Sequence, residues 1–182
     1  AMSGEIRNGI GLVAPFDFAL DDEYYKWLGP DIPMFVTRTP ELLDPNVTVD
    51  LAKQVSSELA VAPAVSSLLA VQPAAIGYAC TSGSFVEGVE GEARLRNIMV
   101  QAGAKQAVTT SSALTEAIQA LDIKKIAIIT PYNYELSALL IDYLAECGVE
   151  VVAAAYLDRE QNIARISSDV VKQIALEVDV PQ

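Results

Sequence analysis

Residues 77–85, GYACTSGSF, place one thiol, a threonine, two serines and two glycines directly after the apolar run 74–76. A cysteine at the mouth of a strand, before a turn into a helix, stands where open α/β sheets bind ligands. The N–H groups of Thr81, Ser82 and Gly83 would face that space, and a helix N-terminus there favours an anion. The same surroundings lower a thiol's pKa, so Cys80 is expected to offer a thiolate without a histidine partner. The competing reading is a small core cysteine, since free cysteines are among the most buried residues.

Tyr132 and Asn133 open a second loop of the same kind, where a tyrosine hydroxyl could donate to a carboxylate across a cleft. Asp17 could cap the following helix or face a ligand; capping is the expectation. Asp21, Asp22 and Glu23 read as carboxylates offsetting a helix dipole and not as a metal site. Cys147 falls in the last turn of a helix, where the dipole disfavours a thiolate, and is read as structural.

The chain has 182 residues and no histidine, which removes Ser-His and Cys-His pairs and the usual zinc ligands. Acid–base work is left to Cys, Asp, Glu, Lys or Tyr. The net charge of −12 argues against nucleic acid and anionic membranes as partners. No apolar run is judged to reach the roughly 20 residues of a membrane span. With no signal peptide visible, a soluble cytoplasmic protein is expected. Two cysteines are too few for a disulfide framework.

Apolar runs at 10–15, 31–38, 74–79, 106–110, 125–130 and 149–157 read as strands. Helices are expected over 19–28, 48–70 (ended or kinked at Pro63), 84–101, 112–121 (opening on a serine cap), 134–147 and 163–178. Alternation with fully apolar strands implies α/β architecture with parallel sheets flanked by helices. The segment 10–20, IGLVAPFDFAL, aligns with 126–136, IAIITPYNYEL, at a constant offset of 116 residues. Two similar Rossmann-like halves with a cleft between them are therefore expected, spanning 1–112 and 113–182. The second half reads as incomplete, ending on a helix where a strand is due.

The runs ACTSGS, ITPYNYEL and TTSSALTEAIQAL resemble the maleate cis-trans isomerase and arylmalonate decarboxylase group of the aspartate/glutamate racemase superfamily. The resemblance implies cysteine chemistry on a small carboxylic or dicarboxylic acid, with no metal or organic cofactor, in a homo-oligomer. Cys80 resembles the first of the superfamily's two thiols, which the decarboxylases replace with glycine; this favours isomerase or racemase chemistry. Thr81 and Ser82 look like the carboxylate-holding pair, and Tyr132 like the tyrosine of the same anion site. Pro15, Phe16 and Asp17 match a substrate-lining loop in position, although the isomerases carry a polar run there. The second thiol would follow the last helix, beyond the sequence given.

Overall fold

The computed structural model describes residues 8–178; the outermost ends of both expected halves, 1–7 and 179–182, lie outside the described residues. Strands β1 (Ile10–Ala14), β2 (Met34–Arg38), β3 (Ala75–Tyr78) and β4 (Ala107–Thr109) form one parallel sheet in the order β2-β1-β3-β4. A second parallel pair joins β5 (Lys125–Thr130) to β6 (Glu150–Tyr156). The repeat thus sets β5 and β6 beside β1 and β2 as equivalent pairs. β1 is flanked on both edges, by β2 and β3, whereas β5 pairs with β6 alone among the described residues.

The helices are α1 (Asp21–Leu28), α2 (Val49–Val55), α3 (Glu58–Leu68), α4 (Thr81–Phe85), α5 (Gly88–Gln101), α6 (Thr110–Ala120), α7 (Tyr134–Glu146) and α8 (Ser168–Val178). The single helix expected over 48–70 is two helices and a 3₁₀ turn. The break falls at Ser56–Ser57 and not at Pro63, which sits inside α3. Ser56 donates to the carbonyls of Ala52 and Lys53, and Ser57 donates to that of Gln54. Side-chain competition for the last carbonyls of α2 ends that helix. Taken together, residues 49–71 do have the length and hydropathy of a span, contrary to the expectation from their sequence. Here their apolar face supplies Val55, Val61, Ala64, Val65 and Leu68 to a core shared with Val13 and Ile76. Burying each such Val or Leu side chain contributes about 1.5–3 kcal/mol.

The helix expected to open on a serine cap at 112 begins two residues earlier. Thr109 is its N-cap, accepting from the Ser112 N–H, while the Ser112 hydroxyl accepts from the Thr109 N–H. This capping box is the reciprocal pair that ends β4 and starts α6 within one residue. The division expected after residue 112 consequently falls inside α6. A second core joins the sheets: Ala52, Phe85 and Val86 pack with Ile118, Leu136, Leu140 and Leu144. α4, the short helix after Cys80, is thereby wedged between the two.

Candidate active site

β3 ends at Tyr78, and Cys80 is the extended N-cap residue of α4, with φ −126° and ψ 110°. The single helix expected over 84–101 is two: α4, which starts three residues earlier at Thr81, and α5 from Gly88. Hydroxyls hold this turn from the side. Ser84 donates to the Thr81 carbonyl and bonds the Ser111 hydroxyl at 2.6 Å, and Thr110 donates to the Tyr78 carbonyl at 3.0 Å. The hydroxyl cluster at 109–112 is therefore scaffold for the thiol loop. Glu92, buried on α5, accepts from Thr109 at 2.7 Å and from the Arg96 Nε at 2.8 Å, fixing the same junction from behind.

Cys80 is 7% exposed and packs beside Leu51 and Tyr78, yet its side of the loop opens on a cavity of about 250 Å³. Pro15, Asp17, Thr81, Ser82 and Tyr132 line that cavity with it. The thiol and the Ser82 hydroxyl are 3.6 Å apart. The Tyr132 hydroxyl meets the hydroxyls of Thr81 and Ser82 and the Ser82 N–H, which favour its ionised form, but burial pushes its pKa well above the usual tyrosine range. It therefore stays a neutral donor. A larger hollow of about 540 Å³ runs along β5 past Ile126, Ile128 and Leu144 and also touches Thr81 and Tyr132. Apart from Thr81, Thr130 and Tyr132 its lining is apolar, and Cys80 and Ser82 line the smaller cavity instead.

The expected low thiol pKa is corrected by the structure. Burial pushes Cys80 above the ordinary thiol value, and the nearby Asp17 carboxylate adds to the rise. The Gly83 N–H and the Ser82 hydroxyl favour the thiolate but do not outweigh desolvation. Cys80 rests as a protonated thiol. Cys147 is half-buried at the end of α7 among the second core's side chains, with its own pKa raised by burial; Gly148 follows at φ +79°, stopping the helix where its glycine predicts.

Three of the loop residues fall differently from expectation. Phe16 turns into the first core, and Phe18, two residues on, lines the cavity instead. Arg38 holds it there: the guanidinium lies 5.6 Å from the ring centre, donates to the Phe18 carbonyl and pairs with Asp21 at 2.7 Å. Asp17 does not cap α1, whose N-cap is Leu20 without a side-chain bond; it is exposed at the cavity rim. Asn133 is used as the N-cap of α7, accepting from the Leu136 N–H at 3.0 Å, so its side chain is committed to the helix. Asp22 pairs with Lys26.

Sequence reasoning missed Tyr78, Val47 and Ile163. Tyr78 donates to the Val55 carbonyl at 2.9 Å, and its oxygen lies beside the sulfur of Cys80. A two-residue spacing on an extended segment puts 78 and 80 on one face, which was the available signal. Val47 and Ile163 both line the cavity and are themselves 116 residues apart, so the repeat offset pointed to them as a pair.

Such a molecule is a cysteine-bearing, parallel α/β protein with a cavity at a strand's C-terminal end, lined in part by a thiol and hydroxyls. A model of the arylmalonate decarboxylase family matches residues 51–180, and the chain belongs to that family. It is 32% identical over 93 residues to a maleate isomerase of Geobacillus stearothermophilus, covering 48% of this chain and 37% of that protein. A maleate isomerase of Pseudomonas putida is 34% identical over 94 residues, covering 49% and 38%. The matched region thus spans well under half of those relatives. Among solved structures, the Nocardia farcinica maleate cis-trans isomerase with a covalently bound succinylcysteine intermediate superposes with a TM-score of 0.81 at 21% identity, covering 94% of this chain and 73% of that one. A liganded double mutant of arylmalonate decarboxylase gives 0.83 at 22%, covering 94% and 72%. At these identities the superpositions establish the fold.

Proposed function

We propose that the protein is a cofactor-independent enzyme that acts on a small carboxylic or dicarboxylic acid by cysteine chemistry, of the maleate-isomerase or racemase type. The observation that carries this is the convergence of the Cys80 thiol with the Thr81, Ser82 and Tyr132 hydroxyls on one cavity. Those hydroxyls, with the Ser82 N–H, grip the substrate carboxylate and stabilise the enediolate-like charge that develops when the adjacent carbon reacts. Cys80 is the nucleophile or proton carrier. Because it rests protonated, attack on an alkene requires the thiol proton to pass, as the carbon–sulfur bond forms, to a basic oxygen, and the substrate carboxylate gripped beside the thiol is the acceptor the reaction supplies. The names of the two maleate isomerases, and the succinylcysteine adduct in a structural relative, support nucleophilic cysteine chemistry.

Decarboxylation is the second reading. The family match and the protonated resting thiol favour it, since a neutral thiol can deliver a proton to an enediolate left after loss of carbon dioxide. A homo-oligomer in the cytoplasm is the proposed working form. Replacing Cys80 with alanine is expected to abolish turnover of maleate or of an arylmalonate while the circular dichroism spectrum stays unchanged. Products then separate the two readings: a trans alkene or inverted centre supports the first, and released carbon dioxide the second. Full activity in Cys80→Ala would refute both.

A further inference from the structure

Arg38, Arg94 and Arg96 each meet a carboxylate within 3.0 Å. Arg159 and Arg165, the other two arginines among the described residues, pair with none. Both are exposed, so a solute can reach them. Both also line a hollow of about 400 Å³ beside the end of β6 and the start of α8, together with Leu157, Ile166 and Val170. The carboxylates nearest in sequence, Asp158, Glu160 and Asp169, take no part in that lining. Left-handed turns at Asp158 (φ +49°) and Asn162 (φ +57°) bend the loop, and the Arg159 N–H donates to the Pro131 carbonyl at 2.8 Å, which fixes its course.

In a chain of net charge −12, the fold has thus gathered two cations on one hollow and left their acidic neighbours outside it. Two like charges there repel, and a bound anion relieves the repulsion. A guanidinium also offers a planar fork of donors that matches the paired oxygens of a phosphate or carboxylate. The aliphatic side chains beside the arginines suit an organic part larger than the anion itself.

We infer that this hollow is a second anion site, for a small organic molecule carrying a doubly charged oxyanion, a phosphate ester or a dicarboxylate. It shares no lining residue with the thiol cavity, although one 3₁₀ turn, Ile163–Arg165, has its first residue in that cavity and its last in this hollow. The site is independent of the reaction proposed at Cys80.

Calorimetric titration at fixed ionic strength with phenyl phosphate, inorganic phosphate and succinate tests it. Phenyl phosphate is expected to bind more tightly than inorganic phosphate, because its ring meets the aliphatic lining. Arg159→Gln and Arg165→Gln are each expected to weaken both phosphates about tenfold. Arg94→Gln, which removes a paired arginine elsewhere, is expected to leave them unchanged. Succinate separates the two sources: binding weakened by the same two substitutions adds dicarboxylates to the site, and binding that ignores them restricts it to phosphates. Tyr132→Phe, in the thiol cavity, is expected to leave phosphate affinity as it was. Affinity that falls with Tyr132→Phe and ignores both arginine substitutions overturns the second site, as does the absence of binding by all three probes; either result leaves the chemistry proposed at Cys80 standing.

Discussion

At Cys80, burial and hydrogen bonding pull in opposite directions, and burial wins. The sign has a measurable consequence. A thiol whose folded pKa lies above its unfolded value keeps its proton through neutral pH; its contribution to stability is complete below the unfolded pKa and is lost as pH rises through the folded one. Iodoacetamide labelling of the peptide carrying Cys80 should be slow at neutral pH and climb about tenfold per pH unit, levelling only above the ordinary thiol range. A labelling midpoint below that range would show an activated thiolate. Gly83 belongs to the same balance. A Cβ there would stand 2.5 Å from the Tyr78 hydroxyl and 3.3 Å from the Cys80 sulfur, so glycine is what lets those two groups approach. Gly83→Ala is expected to destabilise the protein by about 1–3 kcal/mol through overpacking, read from the urea midpoint. An unshifted midpoint would mean that Tyr78 has room to move away.

Among the elements, the β4–α6 junction does the most to position the site. Thr109 caps α6, ends β4 and donates to the buried Glu92 carboxylate with one side chain. Thr109→Val keeps the volume, removes both polar roles and takes one donor from Glu92, which keeps its bond to Arg96. A loss of about 2–3 kcal/mol is expected, combining a lost cap with a buried carboxylate short of one donor. Thermal denaturation measures it, and a loss under about 0.5 kcal/mol would mean that water replaces the hydroxyl. The helix boundaries were legible in the sequence only to this resolution. Hydrophobic runs located every strand, but the starts of α4 and α6 were misplaced because Cys80 and Thr109, and not the later serines, adopt the extended cap conformation.

At the scale of the molecule, α4 couples the two sheets through Phe85. It is fully buried against residues of α6 and α7, and its ring centre lies 6.0 Å from that of Tyr132. Phe85→Ala is expected to cost about 3–5 kcal/mol. It should also loosen the Tyr132 side of the cavity, so kcat falls along with the urea midpoint. Retention of full activity in a folded variant would show that the two sheets position the hydroxyls independently.

Local residue pattern alone was enough for the strands, the internal repeat, the thiol at the mouth of β3 and the hydroxyls after it, because periodicity and turn chemistry act over a few neighbouring residues. Only the folded chain decided that the thiol is protonated, that Phe18 and not Phe16 meets the cavity, that Asn133 is spent on a cap, and that Val47 faces the same space as Ile163. Each of those outcomes depends on how much water is excluded and on which groups meet across more than a hundred residues of chain. Desolvation and contact between distant segments are properties of the packed volume, and they leave no periodic mark in the order of residues.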